Sequence, residues 1–183
     1  GSRDLTKVGL RNYVDDPLFQ PFVAVVIDET GKPFIIDFIQ MGMEQAVDRL
    51  AKALYKPGHR IAAHNAGFEM NVLRRIGINL PASRLIDTAV VAAYHGAGRS
   101  LEASAAQLLN EDKYSEGKRL IKTFCIPGPY QEGEDKSFNP LMRENFPQDW
   151  DELIKYCHID AMLSWRLAAE FSIPHNEQVF SEI

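Results

Sequence analysis

The sequence predicts an α/β domain in which a mixed sheet is flanked by helices. Three observations carry this expectation. Residues 22–27 and 34–39 are two apolar runs separated by Asp28-Glu29-Thr30-Gly31-Lys32-Pro33, a composition that folds the chain back as an antiparallel hairpin. Residues 60–64 and 84–86 are shorter apolar segments, each followed at once by a helical pattern, which is how a sheet covered by helices is built. A chain of 183 residues, 45% of them hydrophobic, can bury one core of this kind.

Taken in order, residues 1–20 have no strand pattern, and Val8, Leu10 and Tyr13 fit a short helical turn. After the hairpin, residues 43–55 place Ala46, Leu50 and Leu54 on one side at helical spacing, and Pro57-Gly58 stops that helix. The strand at 60–64 leads to Asn65, a residue able to cap a helix that runs to about residue 75 and ends at Gly77. After the strand at 84–86, Asp87 caps a helix through Tyr94, and Ser100 caps another through Leu109. Residues 126–148, rich in proline, glycine and charge, read as a long loop, and loops of that length in a compact domain are usually functional or mobile. The last helix covers roughly residues 149–171, and the chain holds neither an internal repeat nor a low-complexity segment.

Composition narrows the function classes. The chain has no apolar run of about 18 residues and no signal-peptide pattern, so a soluble, cytoplasmic protein without membrane partners is expected. Its two cysteines, Cys125 and Cys157, sit in no metal-ligand spacing and fit a reducing compartment. A net charge of −5 argues against a protein that coats nucleic acid by charge alone. It leaves room for an enzyme that gathers carboxylates around cations and touches a few phosphates.

The stretch with chemical promise is Tyr156-Cys157-His158-Ile159-Asp160 in the last helix. A tyrosine and an aspartate four residues apart share one helix face. A carboxylate beside a phenol can hold a divalent cation and orient a water on it. Alone the pair is common, and a solvated Asp160 with a half-buried Tyr156 is the ordinary alternative. It gains meaning from His64-Asn65-Ala66-Gly67-Phe68-Glu69, which puts Asn65, Phe68 and Glu69 on one face at a strand-to-helix junction, where ligands of open α/β sheets gather. An acid after one strand and a Tyr-x-x-x-Asp pair on a late helix suit two-metal phosphodiester hydrolysis, with cations about 4 Å apart. Asp87-Thr88 reads better as a helix cap, and His158, on another face, as exposed or packed. Lys118, Arg119 and Lys122, with Lys113 nearby, form the basic cluster; a solvated helical face and a contact to DNA phosphates both remain open.

These motifs resemble the 3′–5′ exonuclease domain of the DnaQ-like (DEDD) superfamily, in particular that of bacteriophage-type family A DNA polymerases. Asp4-Leu5-Thr6-Lys7-Val8-Gly9 with Tyr13 resembles the segment that follows the family's first motif. Ala63 through Glu69 resembles the second motif, and Tyr156-x-x-x-Asp160 the third in its tyrosine form. Ser100-Leu101-Glu102 and Glu116-Gly117-Lys118-Arg119-Leu120-Ile121 match two signatures between them, so the resemblance covers most of the chain. It implies a ribonuclease H-like fold, a two-ion site for Mg²⁺ or Mn²⁺, a single-stranded DNA 3′ end as substrate, and a polymerase region of the same polypeptide as partner. In that frame Asp160 binds the cation that activates the nucleophile, Tyr156 positions the attacking water, and Glu69, where the family usually has aspartate, helps hold the second cation. Asn65 and Phe68, next to His64, shape the pocket for the terminal nucleotide, and Lys118 and Arg119 meet DNA phosphates. The histidine-bearing subtype has its histidine five residues before the acid, where this chain has Lys155.

The chain departs from the family at the first motif, Asp-x-Glu on a central strand. Asp28 and Glu29 are adjacent and would point to opposite faces of a strand, and Asp37 has Ile39 where the glutamate would stand. The match at residues 4–9 places Gly1 just after that motif, and residues 174–183 resemble the start of a connection to a polymerase region, leaving 1–173 as the exonuclease-like domain. The expected vacancy lies between residues 22–28 and 60–64, which should then not pair directly. A stand-alone nuclease acting on RNA or short oligonucleotides, and a non-catalytic binding module, are the alternatives.

Overall fold

A computed structural model of the chain describes residues 4–112, 114–125 and 146–173. The expected loop at 126–148 and the connection at 174–183 fall largely or wholly outside them, as does Lys113. The architecture is mixed α/β, with more helix than strand.

Two short helices, α1 (Leu5–Val8) and α2 (Leu10–Val14), open the fold. The Asp4 carboxylate accepts from the Thr6 amide at 2.9 Å and caps α1. Gly9, at φ 77°, makes the break between them in a backbone region that favours glycine. Helix α2 buries Val14 and is tied to a later helix, because Arg75 donates to the Val14 carbonyl at 3.2 Å.

The hairpin forms as expected from β1 (Val23–Ile27) and β2 (Pro33–Asp37), with Val25 opposite Ile35. Asp28 closes its turn by accepting from the amides of Thr30 and Lys32, both at 2.9 Å. The second strand is shorter than predicted. Asp37 accepts from the amides of Ile39 at 3.0 Å and Gln40 at 2.9 Å, and so starts α3 (Phe38–Met41) where the apolar pattern suggested continued strand. Helix α4 (Met43–Leu54) buries Ala46, Leu50 and Leu54 against Ile36 and Phe38, as its spacing predicts.

Next come β3 (Ile61–Ala63) and α5 (Gly67–Arg75), then a 3₁₀ turn at Ala82–Arg84, β4 (Leu85–Asp87) and α6 (Thr88–Tyr94). Strands β3 and β4 are parallel, with Ala63 opposite Asp87. Ser100 caps α7 (Leu101–Ser104), which widens into a π turn at Ala105–Leu109. Helix α8 (Gly117–Cys125) follows, and α9 (Pro147–Glu170) closes the described fold.

Helix α9 organises the whole. It touches β1, β3, α6 and α8, and its buried residues serve two of the three apolar clusters. Trp150 and Leu153 pack with Leu120 and Phe124 of α8, whereas Leu163 and Leu167 pack with Leu101, Ala105 and Leu109. The third cluster joins the hairpin to α4 and α5.

One expectation is corrected. Instead of a single mixed sheet, the strands form two separate two-stranded sheets, β1–β2 and β3–β4, both beneath α9. Residues 22–28 make no ladder with residues 60–64. Among the described residues β1 pairs only with β2 and β3 only with β4, and all of β1 stays only half-buried despite its apolar sequence. No helix among the described residues is long and apolar enough to cross a membrane.

Candidate functional site

The candidate residues lie at two places, the carboxyl ends of β3 and β4 and the middle of α9, a helix that packs on β3. At the first, Asn65 does not cap α5 as its position suggested. It takes a left-handed backbone at φ 60°, a conformation asparagine tolerates, and Ala66 is the N-cap. The amides of Asn65 (3.0 Å) and Ala66 (3.2 Å) both donate to the carboxylate of Asp87, which also accepts from Ala89 at 2.9 Å to cap α6. Asp87 is thus both the cap the sequence predicted and a clamp on the turn that carries Asn65. The second role was missed, because it depends on β4 lying beside β3.

His64 is anchored in the fold. Its Nε2 faces the Arg99 carbonyl at 2.8 Å, and a carbonyl only accepts, so this nitrogen carries the proton. Nδ1 meets the Thr88 hydroxyl at 3.0 Å. His64 therefore supports the turn from behind. Asn65 and Phe68 are exposed and line a cleft of about 400 Å³ together with Leu5, Leu10, Gly67 and Asp87. One apolar ring beside two polar side chains and two leucines offers a base a stacking face and hydrogen-bonding edges.

Glu69 leaves this exposed face. Its Oε2 is buried without a hydrogen-bond partner among the described residues. Burial pushes its carboxyl up to about 7 from 4.5, its own backbone amide opposes the shift, and the Asp87 charge adds to it. A carboxyl raised by folding adds stability at low pH and loses it as the pH climbs through the folded value. Thermal melts of the parent and Glu69→Gln should therefore coincide below about pH 4.5 and separate between pH 4.5 and 7, the variant becoming the more stable. Superimposable pH profiles would mean that water reaches this carboxyl.

On α9, Tyr156 is half-buried and its phenol donates to Asp160. Burial first, and then this bond, raise the phenol well above its ordinary range, so it stays a neutral O–H donor at physiological pH. The two groups act as a unit one helical turn apart. Cys157 and Cys125 pack in the cluster below, and burial pushes their thiols up to about 12 and 11, which leaves both unreactive at neutral pH. His158 is half-buried on α9.

The chain matches no protein-family model, and no curated protein matches it.

Of the basic residues, Arg119 is engaged within the fold: it donates to Glu116 at 2.7 Å and to Asp149 at 3.0 Å, which pins α8 to α9. Lys118 and Lys122 lie one turn apart on the exposed face of α8. As for a cation, carboxylates are the right chemistry for Mg²⁺ or Mn²⁺, and the buried Glu69 oxygen is suited to meeting one. The set is nevertheless incomplete, since no three His, Cys, Asp or Glu side chains among the described residues form a group able to hold a metal.

Proposed function

We propose that this chain is a 3′–5′ exonuclease domain of a DNA polymerase, with a ribonuclease H-like fold, acting on single-stranded DNA ends in the cytoplasm of a bacterial or phage-infected cell. The observation that carries the proposal is the hydrogen-bonded Tyr156–Asp160 pair on a helix laid across both strand pairs. The parallel β3–β4 pair and the hairpin beneath the same helix agree with the fold.

Each group has a task in this reading. The Asn65–Phe68 cleft takes the terminal nucleotide, with Phe68 as the stacking face. Tyr156, whose one O–H is given to Asp160, orients the attacking water by accepting a hydrogen bond from it at the phenol oxygen, and Asp160 holds that phenol in place. Glu69 and Asp160 would hold divalent cations, which when bound lower the pKa of a water and stabilise the departing oxygen. Two further carboxylates are needed beside them, and in the proposal they come from an Asp-x-Glu strand in the slot between β1 and β3.

A non-catalytic module that binds a single-stranded end is the second reading, since no three candidate ligands meet among the described residues. A 3′-labelled and a 5′-labelled single-stranded oligonucleotide separate the two. With Mg²⁺ or Mn²⁺, a polypeptide that also carries an apolar strand ending in Asp-x-Glu should release the 3′ label first, and residues 1–183 alone should be inactive. Binding without hydrolysis by the longer polypeptide would favour the module instead.

A further inference from the structure

Gly117, the first residue of α8, is buried, and its backbone does not need glycine, since φ lies outside the left-handed region. What it lacks is room. A Cβ there would lie 2.4 Å from Cε2 of Tyr156 and 2.9 Å from both Cδ2 and Cζ, far inside the 3.5–4.0 Å or so at which carbon atoms rest. The ring of Tyr156 fills the volume that a side chain at 117 would occupy.

Helix α8 cannot easily withdraw to make space. Leu120 and Phe124 are buried against Trp150 and Leu153, and Arg119 is bonded to Asp149. The tyrosine is constrained at its other end too, because its hydroxyl is bonded to Asp160. We propose that Gly117 is the positioning residue of Tyr156: the bare first turn of α8 seats the ring and thereby holds the phenol on Asp160. Its functional half rests on the exonuclease reading above; its steric half does not.

The steric half is tested on the chain itself by the sign of one substitution. Replacing glycine by alanine in a helix is normally stabilising. Here Gly117→Ala should lower the melting temperature by several degrees, whereas in a Tyr156→Ala or Tyr156→Val background it should raise it or leave it unchanged. An unchanged or higher melting temperature in the parent overturns the proposal whether or not either background folds, and so does an equal fall in all backgrounds. Thiol labelling locates the damage: Cys125 and Cys157 should stay protected in Gly117→Ala if only the ring moves, and rapid labelling of both would mean that α8 has lifted away and that positioning is not its role.

The functional half uses the polypeptide extended with the Asp-x-Glu strand. There Gly117→Ala should lower kcat about tenfold or more with KM little changed, in line with a displaced proton-handling group. Combined with Tyr156→Phe it should cost nothing further, because the phenol is already absent. Additive losses would overturn the positioning role. If the stability signs hold while the longer polypeptide never hydrolyses DNA, the seat stands and the exonuclease reading falls.

Discussion

On the proposed exonuclease reading, Asp160→Ala is expected to lower 3′-end hydrolysis by the polypeptide extended with the Asp-x-Glu strand about 10³-fold or more. The loss corresponds to about 4 kcal/mol of transition-state stabilisation, each 1.36 kcal/mol being a factor of ten. Two causes combine. The substitution deletes one of the four carboxylates proposed to hold cations in that polypeptide, and it removes the acceptor of the Tyr156 phenol's hydrogen bond. Tyr156→Phe deletes only the donor and leaves both the charge and the ring in its seat. It should therefore slow hydrolysis by about 10²-fold, the lower end of what such groups contribute, while binding of single-stranded DNA changes little. Melting curves should show Tyr156→Phe close to the parent, since the ring still fills the space beside Gly117. Equal loss of binding and turnover in Tyr156→Phe would mean that the phenol anchors the strand and does not orient water.

Trp150→Ala is expected to be the most destabilising single substitution in the described fold. Its side chain is 1% exposed and packs against Phe22 and Phe124, with ring centroids 6.3 and 5.5 Å away. Truncating a buried tryptophan typically costs about 3–5 kcal/mol through lost transfer energy and the cavity left behind. A domain of this kind is stable by about 5–15 kcal/mol in all. The position matters as well as the size, because Trp150 joins α8 to α9 and, through Phe22, to the start of the hairpin. Chemical denaturation should show a lowered midpoint with an unchanged slope. A midpoint within experimental error of the parent would show that α8 and its cluster fold independently of the rest.

Much of the local structure was legible in the sequence because short-range chemistry decides it. The hairpin turn follows from Asp28 and Gly31, the start of α6 from Asp87, the start of α7 from Ser100, and the buried face of α4 from the spacing of Ala46, Leu50 and Leu54. The Tyr156–Asp160 contact is of the same kind, since a helix brings residues four apart together wherever it is placed. Two local readings failed at side chains with more than one option. Asp37 turned to the amides of Ile39 and Gln40 and ended its strand early, and Asn65 adopted a left-handed backbone instead of capping α5.

The tertiary structure alone decided contacts between residues far apart in the chain. Asp87 reaches Asn65 across 22 positions, His64 reaches Arg99 across 35, and Arg119 reaches Asp149 across 30. None of these pairs has a spacing that a pattern could reveal, because each depends on which elements become neighbours. The split between the strand pairs has the same origin. Strand β1 satisfies one edge with β2 and β3 satisfies one with β4, so apolar pattern and propensity are met without deciding what lies between them. Gly117 is the clearest case. In sequence it is one residue of the Glu116–Ile121 stretch with nothing to mark it; its reason is the ring of a residue 39 positions later, set against it by the packing of α8 on α9.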